Sequence, residues 1–99
     1  TYVEKIATLY KTKNYEQAVS FGLDALKRFP KHEDLSWYVG DSYSAQSLHE
    51  KAIKHYLEAF LTNPENDQVA VLAAWEYFYL QDYANAEKYN LDTNVKDFA

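Results

Sequence analysis

Residues 33–66 read EDLSWYVGDSYSAQSLHEKAIKHYLEAFLTNPEN, and this stretch decides the fold. Its marked positions are Trp37, Gly40, Tyr43, Ala52, Tyr56, Ala59 and Pro64, and almost all have a counterpart 34 residues away on at least one side. Ala18, Ala52 and Ala86 line up, as do Leu9, Tyr43 and Tyr77, and Tyr15, His49 and Tyr83. Ala25 matches Ala59, with Thr93 third, and Pro30 matches Pro64. A fixed period of this length means a stack of helix pairs, each too small to bury its own apolar face and covered by its neighbour.

The bulk properties agree. A 99-residue chain that is 47% hydrophobic and 25% charged is globular, not disordered. Two Gly and two Pro are too few for the turns of an all-β fold. A net charge of −5 argues against nucleic acid, whose phosphates need a basic face, and against an anionic membrane surface. With no cysteine, disulfides and thiolate metal sites are excluded. No apolar run approaches the roughly 18 residues of a membrane span, and no signal-peptide core is visible. No Met occurs, even at position 1, so the chain is expected to be a segment of a longer protein.

Along the chain the apolar spacing is helical throughout. It predicts six helices of roughly 11–15 residues, in three antiparallel pairs within one domain, with repeats at about 1–32, 33–66 and 67–99. The first helix, from Thr1 to Lys11, packs Tyr2, Ile6 and Leu9. Asn14 caps the second with Gln17 as capping-box partner. That helix buries Ala18, Phe21, Ala25 and Phe29 and stops at Pro30. The third starts near Glu33 and turns Val39, Gly40 and Tyr43 inward. Gly40 costs about 1 kcal/mol against Ala in a helix, and close approach of the partner helix is the return. Ser47 and Glu50 read as a second capping box, opening a helix that runs to about Thr62. Its inner stripe is Ala52, Tyr56 and Ala59, with Ile53, Leu57 and Phe60 beside it. The fifth helix starts near Asp67 and buries Ala70, Ala73, Ala74 and Tyr77. Asp82 caps the sixth, which carries Ala86.

Trp37-Tyr38-Val39-Gly40, then Tyr43, Ala52, Tyr56, Ala59 and Pro64, resemble a tetratricopeptide repeat, and the resemblance covers essentially the whole chain. It departs from the family where Ser36 takes the usual Trp position and Trp37 follows one residue later. Ile6 and Ala74 stand where the middle repeat has Gly40. The resemblance implies an all-α right-handed superhelix whose first helices line a concave groove for an extended peptide or a partner helix. It implies no catalysis and no cofactor.

One residue past the inner stripe, the leading helices turn by about 100°. By the resemblance this direction is the groove. It holds Val3, Ala7 and Tyr10, then Trp37, Asp41 and Ser44, then Val71, Trp75 and Phe78, with Tyr79 beside them. Read as a binding face, Tyr10, Trp37, Val71, Trp75, Phe78 and Tyr79 supply contact area, and Asp41 and Ser44 orient the ligand. The other reading is that these aromatics pack along the solenoid. Some family members grip a C-terminal carboxylate with basic residues and Asn, but the matching places here are Val3, Ala7, Tyr38, Gln68 and Leu72. Asp34 and Asp41 would repel an acidic tail.

Other chemistry is thin. His49 and His55 are six apart and share no helix face, so a metal pair is not expected, and His49 reads as half-buried and structural. No nucleophile elbow, phosphate loop or HExxH occurs. Glu33/Asp34 and Glu65/Asp67 sit at helix starts, where they complement the dipole. The polar set Asn85, Glu87, Asn90, Asp92, Thr93 and Asn94 reads either as a solvent-facing cap of the array or as a weak, frayed helix. The expected function is a protein–protein scaffold. The alternative is an architectural or self-associating stretch of a longer array.

Overall fold

The computed structural model describes residues 1–90. Among them are six α-helices and no strand: α1 (Tyr2–Lys11), α2 (Tyr15–Arg28), α3 (Glu33–Ala45), α4 (His49–Thr62), α5 (Asp67–Tyr79) and α6 (Tyr83–Tyr89). Each helix packs on the next, and α1 also reaches α3. The short loops between them require antiparallel neighbours. The predicted helices are all present, though α1 has 10 residues and α6 has 7, below the expected length. No described helix is long and apolar enough to cross a membrane.

The core is a strip. Ile6, Ala18, Ala25, Leu35 and Val39 form one buried cluster, Ala52, Tyr56 and Ala73 the next, Ala74 and Ala86 the last. Small residues dominate because helices meet at close range. A Cβ on Gly40 would come within 2.8 Å of the Tyr56 ring, and one on Gly22 would run into Val39 and Ile6. The close approach expected at Gly40 is therefore to a ring, and Gly22 performs the same service one pair earlier.

Two expectations about helix ends need correction. Asn14 precedes α2, but its side chain makes no cap; its Nδ2 donates to Thr12 Oγ1 at 2.8 Å. Ser47 does not cap α4, which begins at His49 after Leu48. Ser47 instead has φ 60°, and Lys13 (64°) and Gln81 (62°) share this left-handed state one period away on each side. The reason lies in the preceding helices. The Lys13, Ser47 and Gln81 amides donate to Tyr10, Ser44 and Phe78 carbonyls, and the Asn14, Leu48 and Asp82 amides reach back to Leu9, Tyr43 and Tyr77. This is the Schellman closure, which wants a left-handed residue and favours Gly there. Asp82 does cap α6, accepting from the Asn85 amide at 3.3 Å. The left-handed state costs a side-chain-bearing residue about 1 kcal/mol. Gln81→Gly is accordingly expected to raise the thermal midpoint by a few degrees, read by far-UV circular dichroism. A fall would mean that the Gln81 side chain contributes more than its backbone state costs.

Burial also departs from the periodic reading at the α1–α2 end. Tyr2 is 38% and Phe29 43% exposed, although both were expected on packed stripes. They pack on each other with ring centroids 5.4 Å apart. Glu33 does more than face a dipole: Asn66 Nδ2 donates to its Oε2 at 2.6 Å, and Asn63 Nδ2 donates to its carboxylate at 3.3 Å. The start of α3 thus holds the α4–α5 turn. Asn90, expected on a solvent-facing cap, is buried, since it falls one turn past Ala86 on the packed face. Asp92, Thr93 and Asn94 lie outside the described residues.

Candidate functional site

The leading helices α1 and α3 leave a cleft of about 430 Å³ between them, within the range of ligand sites. Val3, Tyr10 and Lys11 line it from α1; Asp34, Trp37, Tyr38 and Asp41 line it from α3. The α3 residues share a face because they recur at three- and four-residue steps. Tyr10 and Tyr38 meet across the cleft with ring centroids 6.0 Å apart.

The cleft gathers Tyr10, Trp37 and Asp41 of the predicted site residues. Trp37 has a double position. It lines the cleft and also packs on the Ala52–Tyr56–Ala73 cluster, so it has not left the core as its shifted place in the repeat suggested. Ser44 lies beside the Tyr56 hydroxyl, inside the molecule's own polar contacts and away from the cleft lining. Val71 is half-buried on α5. Trp75, Phe78 and Tyr79 form a second aromatic group at the α5–α6 end. Phe78 sits edge-on to Trp75 (5.5 Å), Tyr79 (6.2 Å) and Tyr83 (5.7 Å). Tyr79 is the most open of these, at 63% exposure.

Beneath the cleft runs a polar network that single-helix periodicity does not reveal. Tyr56 Oη donates to Asp41 Oδ1 at 2.5 Å. Burial raises the Asp41 pKa above the ordinary aspartate value, the Tyr56 hydrogen bond opposes the rise, and the nearby Glu76 charge adds to it. Burial likewise raises the Tyr56 hydroxyl, with the Asp41 and Glu76 charges assisting. Tyr10 is raised first by burial and then by the Asp41 charge, which therefore acts into the cleft. Glu76, 4% exposed, meets His49 Nδ1 at 3.1 Å, and the His49 ring stacks on Tyr79 at 5.2 Å. The half-buried structural role expected of His49 is what the geometry shows. His55 stacks instead on Tyr43 within its own helix pair, so the two imidazoles serve different partners. The clue to Glu76 in the sequence was a lone acid within the apolar run from Val69 to Leu80.

A raised folded-state pKa means that the Asp41 charge opposes folding. Between the unfolded and folded values the native state binds more protons, so this contribution makes stability fall as pH rises through that window. Below the unfolded value the penalty is absent. Asp41→Asn retains an acceptor for Tyr56 and removes the charge. It is expected to raise the thermal midpoint by a few degrees at pH 7 and to leave it unchanged near pH 3, relative to wild type at each pH. A lower midpoint at pH 7 would mean that the Tyr56–carboxylate bond outweighs desolvation.

No protein-family model matches the chain, and no curated protein matches it. Solved structures do. MamA (residues 41 to the end) from Desulfovibrio magneticus RS-1 superposes with a TM-score of 0.84 at 20% identity, over 98% of this chain and 54% of that one. A tetratricopeptide repeat protein from Parabacteroides merdae ATCC 43184 gives 0.80 at 20% identity, over 89% of this chain and 34% of that one. The chain thus spans about half of the first relative and a third of the second. With the helix pairs and the periodic small-residue seam, these likenesses give the architecture: the chain is an all-α helical solenoid with the tetratricopeptide-repeat fold.

Proposed function

We propose that the chain is a protein-interaction scaffold that holds an extended or helical partner segment against α1, α3 and α5. The observation that carries this reading is the cleft walled by Tyr10, Trp37 and Tyr38; Trp75, Phe78 and Tyr79 form a second aromatic group on α5. Aromatic side chains bring large contact area at low entropic cost and dominate binding hot spots. A non-catalytic role fits the two polar pairs, Tyr56–Asp41 and His49–Glu76, whose groups are taken up by each other.

The test is selection of peptides from a random display library against the 99-residue chain. Enriched peptides should bind Trp75→Ser about tenfold more weakly, as loss of an aromatic anchor gives. Helicity should stay near wild type, since Trp75 is 39% exposed. Failure to enrich any sequence, or binding indifferent to changes on α1, α3 and α5, would remove the reading. A self-associating role draws support from the exposed Tyr2–Phe29 ring pair. Sedimentation that depends on concentration, and ceases to in Tyr2→Ser, would favour it.

A further inference from the structure

We infer that the cleft between α1 and α3 selects a cationic side chain, arginine or lysine, of the partner segment; this rests on the binding role proposed above. Three aromatic residues, Tyr10, Trp37 and Tyr38, wall the cleft. Two carboxylates, Asp34 and Asp41, stand on the α3 side two helical turns apart, about 10 Å along the axis. Among the described residues neither makes an ion pair. Asp34 is exposed, and among the described residues Asp41 accepts the one hydrogen bond from Tyr56. Glu76 lies behind Asp41 and deepens the negative potential.

The alternatives fit worse. An acidic side chain meets two carboxylates and has one cation, Lys11, among the lining residues. An aliphatic one strips water from Asp41 and returns no hydrogen bond. A guanidinium or ammonium gives the carboxylates a charged donor and lies against aromatic faces that attract cations. Lys11 is exposed at the same cleft, so it competes with such a ligand for the local field.

The chain has two tryptophans, and only Trp37 lines this cleft, so nitrogen-15 NMR reads the site against an internal control. The probes are four capped peptides of identical Gly-Leu flanks with Arg, Lys, Gln or Glu at the centre. The Arg and Lys peptides should shift the Trp37 indole N–H saturably and bind about tenfold more tightly than the Gln peptide, with Glu weakest. Asp41→Asn and the exposed Asp34→Asn should each weaken the Arg peptide severalfold with no fall in thermal midpoint, and Lys11→Gln should tighten it. If the Gln peptide matches the Arg peptide at Trp37, the cation preference is wrong and the binding role stands. If both Asp variants bind as wild type does, the cation preference is likewise wrong. If no peptide moves Trp37 at millimolar concentration, the cation preference is wrong, and the display selection decides the binding role separately.

Discussion

Tyr56→Ala is expected to remove about 3–5 kcal/mol of stability, the range for deleting a buried aromatic side chain. Tyr56 is 2% exposed and packs on Ala52 and Ala73, with Trp37, Tyr43, Leu57 and Leu72 around that cluster. Its ring lies so close to Gly40 that even a methyl on that glycine would meet it at 2.8 Å. The surrounding small residues cannot grow to fill the space, so most of the cavity should persist. Domains of this size are stable by roughly 5–15 kcal/mol, so the variant should be partly unfolded on warming. Urea denaturation followed by far-UV circular dichroism gives the loss directly. A value under about 1 kcal/mol would mean that α3 and α4 close the gap and that the packing around the ring is loose. Tyr56→Phe separates the ring from the hydroxyl. It should cost about 1–3 kcal/mol at neutral pH by taking the donor from a half-buried carboxylate. That cost should shrink in acid, where the Asp41 carboxyl is neutral.

The Tyr56–Asp41 pair also marks where the sequence stops being legible. The 34-residue period and the helical apolar spacing reveal six helices, their order and most of their starts, because each of these depends on residues within one or two turns. Asp82 as a cap is local in the same way. Ser47 is not. Ser-Leu-His-Glu has the form of a capping box, yet the preceding helix claims the Leu48 amide and turns Ser47 left-handed. The periodic placement of Tyr10, Trp37 and Asp41 on one face matches a common cleft, but spacing does not say what each side chain touches from behind. Asp41 meets Tyr56 across 15 residues and His49 meets Glu76 across 27. Trp37 was legible as a departure from the repeat. Its second face against Ala52, Tyr56 and Ala73 depends on how three helices meet.

His49→Ala should cost about 2–3 kcal/mol, and most of that should return in His49→Ala/Glu76→Gln. The Glu76 carboxyl is 4% exposed, and its hydrogen-bond partner among the described residues is His49 Nδ1 at 3.1 Å. Removing the imidazole strands a buried carboxyl, and a stranded polar group loses its full solvation without replacement. The ring also stacks on Tyr79, and that contact is not restored by the second change. The double variant therefore separates the two: what returns belongs to the His49–Glu76 bond, and what stays lost belongs to the stack. His49 opens α4 and Glu76 lies in the last turns of α5, so the bond joins two successive helix pairs. Its loss should loosen α5 and α6 more than α1 and α2. Amide exchange tests this, with protection falling in residues 67–89 while the α1–α2 amides keep theirs. Equal losses in the single and double variants would show that burial of Glu76 without its partner costs little, and that the stack alone fixes α5 on α4.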